Sequence, residues 1–242
     1  LMVEGVVKHM QASGVKTVGY IGFNDPWGDG IDKAFTALAG PANINIVANE
    51  RYARADTSVE AQVLKILAAK PDAVLIGGSG TPGALPAISL AGRGYKGAVY
   101  GNHGMVNPDF LRVGGKSVEG LIAPTGPLVV VELLPDSSPV KSIASSFVKA
   151  YDAAYGVQNR NAFAGYAYDA NVLLEKAVPE AMKTAKPGTP AFRAALRNAL
   201  ENLREVAGTH GVYTMSPINH NGMDERARVM VRVEGGAWKM LQ

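Results

Sequence analysis

The chain contains no cysteine, which excludes disulfide bridges, thiolate metal sites, iron–sulfur clusters and a cysteine nucleophile. Charge is sparse too: charged residues make up 19%, and 24 Lys and Arg against 21 Asp and Glu leave a formal +3. The basic residues are scattered, with no run that would track a phosphate backbone, so nucleic acid is not an expected partner. No apolar stretch is long enough for a membrane-spanning helix. The opening Leu1-Met2-Val3 has neither the basic region nor the small-residue cleavage site of a signal peptide. Because these first residues already follow helical spacing, the natural chain is expected to begin upstream. Histidine is scarce: His9, His103, His210 and His220 form no H-x-x-x-H pair and no ligand spacing with carboxylates, so neither a metal nor a cofactor is expected. His9 reads as a helix-surface residue, and His210 and His220 as turn chemistry around Asn219, Asn221 and Asp224.

What is present is an ordered, turn-rich protein, with 47% hydrophobic residues, 28 Gly and 14 Pro in 242 residues. That length suits one large α/β domain or two modest ones. Val3, Val6, Val7 and Met10 recur at helical spacing and stop at Gly14. Residues 16–23 then form a β-rich apolar run of the kind buried on both faces of a parallel sheet. The unit repeats: helix 29–39 leads to strand 44–48, helix 58–69 to strand 73–76, and helix 83–91 to strand 98–100. Such alternation, with short Gly, Pro and Asn turns, predicts right-handed βαβ crossovers and a doubly wound parallel sheet. Pro124, Pro127, Pro135 and Pro139 then punctuate a stretch that reads as extended chain suited to a crossing between lobes. Helices follow at 140–155, 166–182 and 190–203, the last with Thr189 as N-cap and Pro190 at its first position. Val229, Val231 and Val233 alternate toward Gly235-Gly236, which predicts a terminal hairpin closing on Trp238.

Three loops at carboxyl ends of predicted strands carry the candidate chemistry, because ligands of open α/β sheets bind beyond those ends. They hold Trp27, Ser79 with Gly80, and His103. Gly78-Ser79-Gly80-Thr81-Pro82-Gly83 matches G-x-G-x-x-G between a strand and a helix, the setting for a dinucleotide pyrophosphate. Against that, Pro82 removes an amide donor, and His103 stands where a ribose-binding acid would be. Ser79, His103 and Asp109 could supply a nucleophile, base and orienter, but Ser79 is not in a G-x-S-x-G elbow. Trp27 has two readings: packing on the core beneath its loop, or stacking on a ligand.

The order of motifs is informative. Asp25-Pro26-Trp27-Gly28-Asp29-Gly30, Glu50-Arg51-Tyr52 with Asp56-Thr57-Ser58, Lys70-Pro71-Asp72-Ala73-Val74, and Gly77-Gly78-Ser79-Gly80 are followed by Gly94-Tyr95-Lys96-Gly97. Phe147, Tyr151 and Tyr155-Gly156 precede Ala162-Phe163-Ala164-Gly165-Tyr166. From about Val3 to the C-terminus this resembles the Leu/Ile/Val-binding (branched-chain amino acid) family of extracytoplasmic solute-binding proteins of ABC importers. The resemblance implies a type I periplasmic-binding-protein-like α/β fold, with doubly wound parallel sheets in two lobes. Residues 1–126, with 228–242 returning to them, correspond to the second lobe and 127–227 to part of the first. The family's opening strands, with the hydroxyl residues that grip a ligand carboxylate, have no match here, so the first lobe is expected to be incomplete.

The resemblance further implies a monomeric, periplasmic or extracytoplasmic receptor, not an enzyme, that captures a small carboxylate or amino acid by lobe closure and presents it to a membrane permease. Its ligand-binding residues would be Trp27 as a stacking surface, Ser79 and Gly80 after the glycine pair, His103, and Phe163 as a first-lobe aromatic wall. Two positions depart from amino-acid binders: Ser79 replaces a tyrosine, and His103 replaces the acid that pairs with the ligand ammonium. A buried ammonium needs a carboxylate or its equivalent, so these departures favour an acid without an amine, with room for an aromatic ring. The other readings are a Rossmann-like nucleotide-dependent enzyme and the ligand-sensing domain of a regulator. The lack of a helix-turn-helix motif counts against DNA binding.

Overall fold

Val3, Val6, Val7 and Met10 form the buried face of the first helix, α1 (Met2–Ala12), in the computed structural model of the chain, which describes residues 1–241. Strands and helices then alternate: β1 (Thr17–Phe23), α2 (Pro26–Ala39), β2 (Asn45–Tyr52), α3 (Glu60–Ala68), β3 (Ala73–Gly77), α4 (Ala84–Gly92), β4 (Ala98–Tyr100), α5 (Pro108–Gly114) and β5 (Ile122–Thr125). A mainly helical stretch holds α6 (Lys141–Tyr155), α7 (Ala162–Met182), α8 (Pro190–Glu201) and the short pair β6 (Val206–Ala207) and β7 (Val212–Tyr213). The chain ends in β8 (Val229–Glu234) and β9 (Ala237–Met240). Contacts divide it into two units: Leu1–Thr125 with the tail from Val229, and Gly126–Arg228.

The first unit is a mixed α/β layer around a seven-stranded sheet of order β2-β1-β3-β4-β5-β8-β9. The first five strands are parallel, and β8 and β9 add antiparallel to β5. β3 is buried throughout, as a strand covered on both faces must be. The core beneath α1 and α2 joins Val6, Met10, Val18, Tyr20, Phe35 and Leu75, each burial worth about 1.5–3 kcal/mol. Two elements exceed their sequence expectation. β2 runs past Ala48 to Tyr52, because it is an edge strand whose exposed and part-buried residues alternate and polar side chains are welcome on its open face. α2 begins at Pro26 rather than Asp29: Asp25 caps it, accepting hydrogen bonds from the Trp27 and Gly28 amides at 3.0 and 3.1 Å.

In the second unit, residues 127–133 are not extended. Pro127–Leu133 is a 3-10 segment kinked at Val130, with Leu128, Val130 and Val131 buried; Pro127 stands at its first position, where a fixed φ favours helix entry. α7 starts four residues before the expected 166, because Asn161 Oδ1 accepts from the Ala164 amide at 3.0 Å. Thr189 caps α8 as the sequence predicts, accepting from the Phe192 amide at 3.1 Å.

His210 is not a turn residue at the surface. It is fully buried, its ring stacked on Tyr166 at 3.9 Å between centroids and its Nε2 2.9 Å from the Ala162 carbonyl. Beside it the buried carboxylate of Asp169 accepts from the Thr209 amide at 2.5 Å, the His210 amide at 3.0 Å and the Tyr213 hydroxyl at 2.8 Å. Burial pushes the Tyr166 phenol up to about 12 and Tyr213 higher still, with Asp169 adding to both, so both stay neutral at physiological pH.

Candidate functional site

A parallel order 2-1-3-4-5 reverses direction between β1 and β3, and the crevice beyond the carboxyl ends of those two strands is where such sheets bind ligands. The local sequence builds that crevice from glycine and tyrosine. The Tyr20 side chain lies along the sheet over Gly22 and Gly77, where any Cβ would overlap its hydroxyl, and that hydroxyl donates to the Gly28 carbonyl at 2.7 Å in the first turn of α2. Tyr52 spans the neighbouring gap, over Gly78, and donates to the Pro82 carbonyl at 3.1 Å.

Trp27 lies in the first turn of α2, half-buried against the core, with its ring centroid 5.2 Å from that of His103 and the planes inclined by 51°. A Cβ built on Gly104 would stand 2.7 Å from Trp27 Cζ2 and 2.9 Å from Ser79 Cβ, so the three loops meet at a residue without a side chain. Asn102 holds them in register. Its buried amide donates to the Ile76 and Gly78 carbonyls at 3.1 and 2.6 Å, and its Oδ1 accepts from the Gly104 amide at 2.8 Å. Gly80 adopts φ +58°, which favours glycine, and donates its amide to the Gly104 carbonyl at 3.0 Å. The buried Nε1 of Trp27 and Nδ1 of His103 have no hydrogen-bond partner among the described residues. Burial holds His103 below the usual histidine value of 6.5, so it is neutral at physiological pH.

Trp27, Ser79, Gly80 and His103 therefore share one edge of the first unit. Phe163 is on the second unit, 57% exposed in the first turn of α7. Two neighbours were not singled out by the sequence. Asn102 is visible only through its long-range bonds. Arg54 follows β2 in a turn closed by the Asp56 amide donating to the Ala53 carbonyl at 3.1 Å, and its Nη1 donates to Ser79 Oγ at 3.2 Å. The signal for Arg54 was a basic residue just past a strand end, hidden while β2 was expected to stop at Ala48.

The enzyme readings find little support in this geometry. Ser79 Oγ takes its hydrogen bond from Arg54, and Asp109 is paired with Arg112 at 2.9 Å on α5, so neither joins His103 in a relay. The Gly80 amide is committed to Gly104, and the Gly83 amide to the Ser79 and Gly80 carbonyls, leaving a phosphate fewer donors than a cradle needs. Two surface cavities of about 320 Å³ lie elsewhere, one near Leu90, Tyr95 and Lys116 before β4 and β5, the other near Ser58, Ser89 and Arg93. Among the described residues no helix is long and apolar enough to cross a membrane.

Trp27 and His103 meet at the switch point of this sheet, the position at which doubly wound α/β folds bind ligands. The chain belongs to the periplasmic binding protein family, whose model matches residues 2–237, and within it to the Leu/Ile/Val-binding type that its motifs resemble. It is 41% identical to an extracellular ligand-binding receptor from Rhodopseudomonas palustris, over 99% of this chain and 67% of that one, with a TM-score of 0.95. A receptor of the same description from R. palustris HaA2 is also 41% identical, covering 99% and 68% of the two chains with a TM-score of 0.96. An ABC-transporter solute-binding protein from R. palustris, solved in complex with benzoate, shares the fold at 20% identity, a TM-score of 0.77, and 99% and 61% coverage. Among curated proteins none matches. The family is one of extracytoplasmic solute-binding receptors, not enzymes.

Proposed function

We propose that this chain captures a small carboxylic acid lacking an amine, of aromatic or similarly flat shape, as the receptor subunit of an ABC importer. One observation carries the ligand class. The carboxylate nearest the crevice, Asp25, is already committed to the Trp27 and Gly28 amides and to Arg54 Nε at 2.5 Å. Among the described residues at this edge of the first unit, a ligand ammonium would find no uncommitted carboxylate, and a neutral His103 offers at most one acceptor. Trp27 supplies a flat apolar surface, and Ser79 and Gly80 leave space beside it. The fold itself accommodates an aromatic acid in the R. palustris protein solved with benzoate.

Capture requires no bond making. Contacts that favour the ligand-bound conformation shift a conformational equilibrium, and that conformation is what a membrane permease reads. Calorimetry on the full chain with leucine, benzoate and phenylpyruvate tests the ligand class. The acids are expected to bind and leucine not to; tight leucine binding with no response to the acids would overturn the reading.

A further inference from the structure

The crevice contains one cation that the family resemblance does not assign to it. Arg54 projects from the tight turn after β2, where the Ala53 amide bonds to Asp56 Oδ2 at 2.8 Å and the Asp56 amide to the Ala53 carbonyl. Its guanidinium lies over the Phe23 ring, 4.3 Å from the centroid, an arrangement that holds the plane of the fork while leaving its edge open. Of five N–H donors, Nε serves Asp25 and Nη1 serves Ser79; Nη2 has no acceptor among the described residues. The side chain is 52% exposed. Its neighbour Arg51, by contrast, is tied to Asp32 at 2.7 Å and lies over the Tyr20 ring.

Asp25 does not cancel this charge for an incoming ligand. Its Oδ1 faces two backbone amides at the positive end of α2, which disperse its negative charge into the helix terminus. Desolvation alone would raise its pKa, but the Gly28 amide, Arg54 and the Trp27 amide together outweigh it and hold the carboxyl below its usual range. Through Ser79, Arg54 is continuous with Gly104 and Trp27, so a group bound by its fork lies beside the stacking surface.

We infer that Arg54 is the residue that reads the ligand's negative charge, donating to a carboxylate from its open Nη edge with Ser79 as co-donor, and so selects acids over neutral compounds of the same shape. This rests on the carboxylate reading proposed above. The ligand is thereby narrowed to an anion whose charged end and flat apolar body lie close enough to meet Arg54 and Trp27 together.

The test pairs each acid with its primary amide: benzoate, phenylacetate and 3-phenylpropanoate against benzamide, phenylacetamide and 3-phenylpropanamide, titrated into the full chain, Arg54→Gln and Arg54→Lys. The unmodified chain is expected to favour at least one acid over its amide by about tenfold or more, the scale of a charge-assisted hydrogen bond. Arg54→Gln should weaken that acid about 10- to 100-fold and leave the amide unchanged, and Arg54→Lys should restore part of the preference, since a point charge remains without the fork. Unaltered acid binding in Arg54→Gln overturns the inference, as does an equal loss for acid and amide, which would mean that Arg54 only braces the Asp25 loop. If the unmodified chain binds none of the acids, or acid and amide alike, the carboxylate reading itself fails, whatever the variants do.

Discussion

The Asn102 side chain donates to the Gly78 carbonyl at 2.6 Å, tying the loop that carries His103 to the loop that carries Ser79. Because the same amide reaches Ile76 and its oxygen takes the Gly104 amide, one buried side chain satisfies three backbone groups that water cannot reach. Asn102→Ala leaves those groups unpaired and should destabilise the protein by about 2–4 kcal/mol, measured by urea unfolding. A loss below about 0.5 kcal/mol, the scale of an ordinary surface change, would show that the loops hold their positions without it.

Gly104 does not take the positive φ that calls for glycine, so its lack of a side chain is a matter of space. Gly104→Ala should drive Trp27 and Ser79 apart, lowering stability by about 1–3 kcal/mol and weakening any ligand that contacts both. With only two tryptophans in the chain, the change is readable as altered Trp27 emission against a Trp27→Phe reference. An alanine variant with unaltered emission and affinity would contradict the close approach.

Stability should decline on the acid side of neutrality through histidine. His103 and His9 are both held below 6.5, in each case first by burial, with the positive charge of Arg232 adding to it for His9. Between that value and the lowered one the unfolded chain binds protons that the folded chain does not. Stability is therefore full above 6.5 and falls as pH drops below it. Urea midpoints at pH 7.5 and 5.5 should differ less in His103→Asn than in the unmodified protein, with His9→Asn separating the two contributions. Equal midpoint differences in the unmodified protein and both variants would sink this account.

In the second unit the test case is Asp169. Asp169→Asn keeps one acceptor oxygen but turns an amide group toward the Thr209 amide, the His210 amide or the Tyr213 hydroxyl. A donor facing a donor in a buried setting should lower stability by about 3 kcal/mol or more, and Tyr213→Phe should recover part of it in the double variant. Additive losses would show that the two side chains do not share a hydrogen bond.

Much of the first unit can be read from the chain. The helical spacing of Val3 to Met10, the apolar run of β1 and the alternation through β4 are local patterns, and local patterns survive folding. What could not be read depends on distance along the chain or on competition. Asn102 and Asp169 act on residues about 25 and 40 positions away, which no periodicity records. The 3-10 segment at Pro127–Leu133 looked extended because its prolines suit both an extended chain and a helix start, and the burial of Leu128, Val130 and Val131 decided the outcome. Trp27, Ser79, Gly80 and His103 were visible as loop residues after strands, whereas Arg54 required knowing where β2 ends.

Tyr20 links this history to adaptability. Its hydroxyl reaches Gly28 and its ring excludes a side chain from Gly22 and Gly77, so the floor of the crevice is paved with one fixed aromatic and two positions that tolerate no enlargement. Ser79 and Arg54 sit above that floor on turns, the first half-buried and the second exposed. A protein built this way can drift to a new ligand by trading its rim while its foundation stays untouched, and directed evolution of specificity should therefore find its gains on the rim and its dead clones at the glycines.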